Sequence, residues 1–199
     1  MAFLRSVTAS DVSPTLYGEQ VVMRIPQMSD FENWTSLRAD SRAFLTPWEP
    51  TWPRDDLTKP AFRRRIRRYQ RDVREGHSFP FFIYNAISDE LVGGLTLSNI
   101  RRGVSQSCSL GYWVGEPYAR KGHMYDAVQT IMPFVFDNLL LHRLEAACLP
   151  VNEPSARLLL KCGFSEEGYA RRYLRINGVW QDHLLFAVLS EDLKTRDIG

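Results

Sequence analysis

Cysteine is scarce in this chain. Cys108, Cys148 and Cys162 are widely spaced and odd in number, with no C-x-x-C pair and no Cys/His cluster, which speaks against a disulfide framework and against a zinc site. No stretch reaches the roughly 18 consecutive apolar residues of a membrane span. The opening MAFLRSVTAS lacks the sustained apolar core of a signal peptide, so a reducing cytoplasm is the expected location. An excess of one charge is missing too: the net charge is +2, and affinity for a polyanion has to come from a local patch. Repeats, low-complexity tracts, interdomain linkers, G-x-G-x-x-G and the P-loop spacing are all absent. What remains is the composition and length of a single globular domain, expected over 18–192 between a leader (1–17) and a short tail (193–199).

What is present reads in order. EQVVMRI is a strand, and Ser29-Asp30-Phe31-Glu32 opens a helix as a capping box, with Phe31, Trp34 and Leu37 on its apolar side. FLTPWEPTWP (44–53), with three prolines and two tryptophans, is a rigid loop that packs on the domain or binds something. In AFRRRIRRYQRDVREG, Phe62, Ile66, Tyr69 and Val73 recur at helical spacing. Seven arginines cover its other faces, offset by Asp72 and Glu75 alone. Such a run is ordinarily a solvated face, but its lopsided charge also suits an anionic partner such as ribosomal RNA over 61–76.

Strands follow at FPFFIYNAI, LVGGLTLSNI and SCSLGYWVG, then a helix over 122–140 kinked by Pro133, a strand at 143–149 and a short helix ending at Gly163. YARRYLRI and VWQDHLLFAVL close the domain as a hairpin on the type I′ turn Asn177-Gly178. The fold class is mixed α+β.

Two helix mouths carry the chemistry. At 112–128 a strand passes through a short loop into a helix, and backbone N–H groups from about Arg120 to Met124 carry partial positive charge. Gly122 permits close approach, and Arg120 and Lys121 add full charges, a set suited to a pyrophosphate. At the second mouth Asn152 and Ser155 follow the strand HRLEAACLP; ordinary capping accounts for them unless a ligand lies there.

Together these stretches resemble the GNAT superfamily of N-acetyltransferases. Its pyrophosphate loop, Gln/Arg-x-x-Gly-x-Gly/Ala, corresponds to Ala119-Arg120-Lys121-Gly122-His123-Met124, and its later Asn-x-x-Ser/Ala to Asn152-Glu153-Pro154-Ser155 through Gly163-Phe164. FLTPWEP, LSNIRRG, KGHMYDA and YLRINGVWQDH look like the RimJ/RimL group, the ribosomal-protein N-terminal acetyltransferases. The resemblance covers roughly residues 19–190. It departs at Ala119, where the superfamily prefers Gln or Arg, and at Leu159, where many members carry a tyrosine acid.

The resemblance implies a mostly antiparallel sheet of about seven strands flanked by about four helices. Two central strands splay apart, and the pantetheine arm of acetyl-CoA lies between them. Cofactor contacts fall to Arg120, Lys121, Gly122, His123 and Met124 at the pyrophosphate, Asn152 on the arm, Ser155 at the sulfur, and the N–H groups of Trp113 and Val114 at the thioester. No metal is implied. The acceptor site falls between Trp48 and Glu49 on one side and Asp182 and His183 on the other.

The amine then attacks the thioester directly. An α-amine, with a pKa of about 7.7–8.0, costs only about 1 kcal/mol to neutralise at pH 7, against about 4.6 kcal/mol for a lysine. A modest carboxylate or a water chain therefore suffices, and Glu49, Asp182 and Glu116 are candidate bases, each equally able to be structural. Ser155 is the candidate to protonate the leaving thiolate. The cysteines lack a histidine-based pattern and read as core residues. Rival functions are a small-amine acetyltransferase and a non-catalytic ribosome- or RNA-binding factor that keeps a CoA site.

Overall fold

The computed structural model describes residues 14–194. Its strands are Thr15–Tyr17 (β1), Val21–Arg24 (β2), Phe79–Asn85 (β3), Leu91–Arg101 (β4), Ser107–Val114 (β5), Arg143–Cys148 (β6), Ser165–Ile176 (β7) and Val179–Leu189 (β8). Its α-helices are Phe31–Asp40 (α1), Arg42–Leu45 (α2), Lys59–Arg74 (α3), His123–Pro133 (α4), Glu153–Cys162 (α5) and Ser190–Lys194 (α6). All eight strands form one sheet in the order β1-β2-β3-β4-β5-β6-β8-β7. Every neighbouring pair is antiparallel except β5 and β6.

The sheet is buried from both sides. Along β3, Phe81 and Ile83 face one core while Phe82 and Tyr84 face the other. The larger core packs α4 and α5 through Ala127, Val128, Ile131, Leu159 and Cys162. The smaller packs Trp34 and Leu37 of α1 against Phe62 and Ile66 of α3. The aromatic contacts are close, with the rings of Trp34 and Phe62 4.9 Å apart. Thr58 caps α3 and Pro60 occupies its first turn. The expected apolar spacing holds: Phe62 and Ile66 are buried, and Arg63, Arg64, Arg67, Arg68, Arg71 and Arg74 are exposed. All three cysteines are buried.

Some elements differ from the sequence expectation. The sheet has eight strands rather than about seven, because Thr15–Tyr17, at the end of the expected leader, pairs with β2. The first thirteen residues of that leader, and the tail beyond 194, lie outside the described residues. The start of α1 is organised by Asp30 rather than Ser29: its carboxylate accepts from the Gln27 N–H at 2.7 Å and is gripped by Arg24. The helix expected to run to about 140 does continue past Pro133, which has no N–H for the α-helical ladder, but as a π-helix to Asn138. In this wider turn the Leu139 N–H reaches back five residues to the Phe134 carbonyl. Asn177 and Gly178 have φ of 44° and 82°, as the type I′ turn requires. Among the described residues no helix is long and apolar enough to cross a membrane.

One ion ties the chain's start to α4. The Asp126 carboxylate accepts from the N–H groups of Glu19, Gln20 and Val21, at 3.2, 2.7 and 3.0 Å. Asp126→Asn turns an amide NH2 toward these donors. It should lower stability by about 1–3 kcal/mol, read as a shift of the urea midpoint at unchanged m-value.

Candidate active site

Between β5 and α4 the backbone turns twice through the left-handed region, at Arg120 (φ 62°) and Gly122 (φ 90°). A Cβ at Gly122 would meet only the Gln20 side chain, at 3.4 Å or more, so conformation rather than crowding calls for glycine. No side chain caps α4. The N–H groups of its first turn have no carbonyl one turn back, and with exposed Arg120 and Lys121 they form a mouth suited to an anion. His123 is buried there, its ring 6.2 Å from that of Tyr118 and its Nδ1 without a partner. Burial, and then the nearby Lys121 charge, hold the His123 pKa below the usual range. The imidazole is therefore neutral at pH 7. The Met124 side chain belongs to the larger core, which leaves its N–H for the mouth.

The parallel strands part beyond this loop. Their last paired residues are Leu110 and Ala146, yet β5 runs on to Val114 and β6 to Cys148. The Gly115 N–H donates to the Val92 carbonyl of β4 at 2.9 Å. By the two-residue alternation of a strand, the Trp113 N–H also faces β4, while those of Tyr112 and Val114 face the gap. Of the two N–H groups expected at the thioester, Val114 thus offers one to the opening. Trp113 instead lends its indole, which lies over Gly94, where a Cβ would come within 2.5 Å of the ring nitrogen.

At the far side of the gap stands the mouth of α5. Asn152 caps it, its Oδ1 accepting from the Ser155 N–H at 3.3 Å, so the cap's NH2 is the group left for a ligand carbonyl. The Ser155 hydroxyl lies 2.7 Å from that of Tyr112. Burial pushes the Cys148 thiol upward, and the hydrogen-bonded Ser155 hydroxyl pulls it partly back. Tyr112 was missed from the sequence. The signal was the alternation Leu110, Tyr112, Val114, which sets a phenol on an apolar face where its hydroxyl needs a partner.

The other expected residues divide. Arg38, with 7% of its side chain exposed, forms a two-pronged ion pair with Glu49, both contacts at 2.7 Å. The Trp52 indole N–H donates to the same carboxylate, and the Arg38 guanidinium lies 4.0 Å from the Trp52 ring and 4.8 Å from that of Trp113. Both Glu49 oxygens are therefore engaged. Trp48 is half-buried beside it. The Asn177 N–H donates to the Glu49 carbonyl at 2.8 Å, which joins this loop to the hairpin tip.

Asp182 is committed to β7: it accepts from the Tyr169 hydroxyl and the Arg172 N–H, where β7 bulges between Ala170 and Leu174. Those two bonds hold its pKa below the usual carboxylate range, the Tyr169 bond foremost. His183 is buried, with Nδ1 against the Gln181 carbonyl at 3.0 Å and its ring against Tyr173. Glu116 is exposed, and its N–H donates to Ser41. Among the described residues no group of three or more His, Cys, Asp or Glu is placed to hold a metal.

Residues 20–165 match the family model described as "Acetyltransferase (GNAT) domain". The probable N-acetyltransferase YjcK of Bacillus subtilis is 35% identical, over 89% of this chain and 98% of its own length. The [ribosomal protein uS5]-alanine N-acetyltransferase of Escherichia coli is 31% identical, over 87% of this chain and 90% of its own. The structure of Mycobacterium smegmatis RimJ in complex with CoA-disulfide superimposes with a TM-score of 0.86 at 32% identity, covering 91% of this chain and 90% of that one.

Glu49→Gln leaves the buried Arg38 guanidinium without its counter-charge. The expected cost is about 3 kcal/mol, because an unpaired buried cation is penalised more than a surface pair is worth. The thermal midpoint should fall accordingly, while calorimetry at a temperature where the variant is folded should return wild-type acetyl-CoA affinity.

Proposed function

The chain belongs to the GNAT acetyltransferase family, and on that premise we propose that it acetylates the N-terminal α-amine of a ribosomal protein in the cytoplasm, by direct attack on acetyl-CoA. The observation that carries this reading is the gap between β5 and β6, with the uncapped mouth of α4 on one side and the Ser155 hydroxyl on the other. The α-amine acceptor is supported by the likeness to the uS5-alanine enzyme along most of both chains.

The residues present fit the cofactor. Backbone N–H groups from 120 to 124 and the Arg120 and Lys121 charges hold its pyrophosphate, the Asn152 NH2 holds the arm, and the Val114 N–H polarises the thioester oxygen. Acetyl-CoA supplies an activated acyl group. Ser155 supplies the proton that the departing sulfur needs. The loop holding Trp48 and Glu49, with the hairpin holding Asp182 and His183, forms the acceptor wall. Both carboxylates are bound to neighbours, and we assign them to shaping this wall. Water takes the first proton of the α-amine, a step that costs only about 1 kcal/mol.

The exposed arginine face of α3 is assigned to ribosomal RNA. Arg64 and Arg71 are already tied to Asp55 and Asp72. Among the described residues, the exposed α3 arginines with no ion pair to a carboxylate are Arg63, Arg67, Arg68 and Arg74, and three of these are changed in the test below.

Two measurements test these assignments. With labelled acetyl-CoA, ribosomal subunits and a panel of small amines, the label should appear on one ribosomal-protein N-terminus; label confined to lysines or to polyamines sinks the acceptor assignment. As a control on the donor side, calorimetry should show Gly122→Val, strained at φ 90°, binding acetyl-CoA at least about tenfold more weakly, and Ala119→Ser unchanged. The second is a pair of salt titrations on ribosomal particles. Changing Arg63, Arg67 and Arg74 to Gln should flatten the log–log slope by about 2 while turnover on a short peptide stays near normal. Equal slopes mean a solvated face.

A further inference from the structure

We propose that Tyr112 is a positioning residue for acyl transfer, its phenol donating to Ser155 Oγ and so aiming the Ser155 proton into the gap between β5 and β6. The proposal rests on the acetyl-transfer reading above and names a residue that reading does not use. Tyr112 lies two residues beyond the last paired position of β5, on the strand edge that faces the gap. Its hydroxyl and that of Ser155 are 2.7 Å apart, a full hydrogen bond across the opening. Ser155 cannot drift from this contact, because it sits in the first turn of α5 with its own N–H held by Asn152.

The direction of the bond follows from acidity. A phenol is a stronger acid than an alkyl hydroxyl, hence the better donor, and the alkyl oxygen is the better acceptor. With Tyr112 donating, the serine keeps its single proton for a third atom.

Burial pushes the Tyr112 phenol well above its ordinary range, with the Ser155 bond opposing. Tyr112 therefore keeps its proton throughout, and the balance closes without it. The N–C bond forms as the C–S bond breaks; the sulfur takes the Ser155 proton; and the serine oxygen recovers a proton from the acylated nitrogen, directly or through water. Tyr112 holds the serine rotamer that makes this exchange short. It occupies none of the positions where the superfamily pattern places an acid, and Leu159 shows that this chain lacks that acid.

The test is a double-mutant cycle with Tyr112→Phe and Ser155→Ala, reading kcat, acceptor KM and acetyl-CoA affinity by calorimetry. Tyr112→Phe should lower kcat about tenfold with KM and cofactor affinity within about twofold, and Ser155→Ala should lower it about a hundredfold. The double variant should be no slower than Ser155→Ala, because Tyr112 acts only through the serine. In a Ser155→Thr background, which restores the hydroxyl, the Tyr112→Phe loss should return. Urea midpoints check folding, and if Tyr112→Phe folds poorly Tyr112→Leu is measured in the same way.

A wild-type kcat in Tyr112→Phe alongside an impaired Ser155→Ala overturns the positioning role and leaves the acetyl-transfer reading standing. A Tyr112→Phe loss that persists in the Ser155→Ala background does the same. Full activity in Ser155→Ala removes the serine from the chemistry, and Tyr112 with it. No transfer to any amine by the wild type sinks the underlying reading instead.

Discussion

The arrangement of both helix mouths depends on two parallel strands being unable to stay together. β5 is held to β4 as far as Val114, and β6 is held to β8 as far as Cys148, so each strand follows its outer neighbour. Their shared ladder ends at Leu110 and Ala146. The backbone groups beyond that point face an opening, and a buried N–H or carbonyl left without a partner is costly. The gap thus leaves backbone groups free to meet a ligand with amide-like groups. Because β5 and β6 are parallel, the elements that follow them, α4 and α5, begin at the same edge of the sheet. One parallel pair in an antiparallel sheet therefore places two helix mouths on either side of one opening.

A second constraint acts on the proline-rich loop. Arg38 is buried between two tryptophan rings, and a buried guanidinium must have its charge matched. Glu49 matches it, with Trp52 completing the carboxylate's bonds. This ties the proline-rich loop to α1. It also explains why a carboxylate that looks available in sequence is spent on structure: its partner lies eleven residues upstream, on the inward side of a helix.

Periodicity and turn chemistry carried most of the fold in the sequence. The spacing of Phe62, Ile66, Tyr69 and Val73, the Asn177-Gly178 turn, and the glycines at 122 and 163 report local geometry that the backbone must adopt. What stayed hidden was set by distant partners. Thr15–Tyr17 is too short to show a pattern and is a strand only because β2 offers an edge. Asp182 reads as a free carboxylate until the β7 bulge supplies the Tyr169 hydroxyl and the Arg172 N–H. The two mouths were legible because capping and anion binding use local residues, whereas the pairing of Tyr112 with Ser155 joins a strand to a helix far along the chain and leaves no local trace.

The hydrogen bond from the Asn177 N–H to the Glu49 carbonyl spans well over half of the sequence. It bears on the order in which the molecule becomes competent. Both the gap and the loop bearing Trp48 and Glu49 wait for the β7–β8 hairpin, because β8 holds β6 as far as Cys148 and Asn177 meets Glu49. A chain emerging from the ribosome therefore completes the gap and this loop together, once residues 179–189 are available. Such long-range closures are the slowest kind of contact to form.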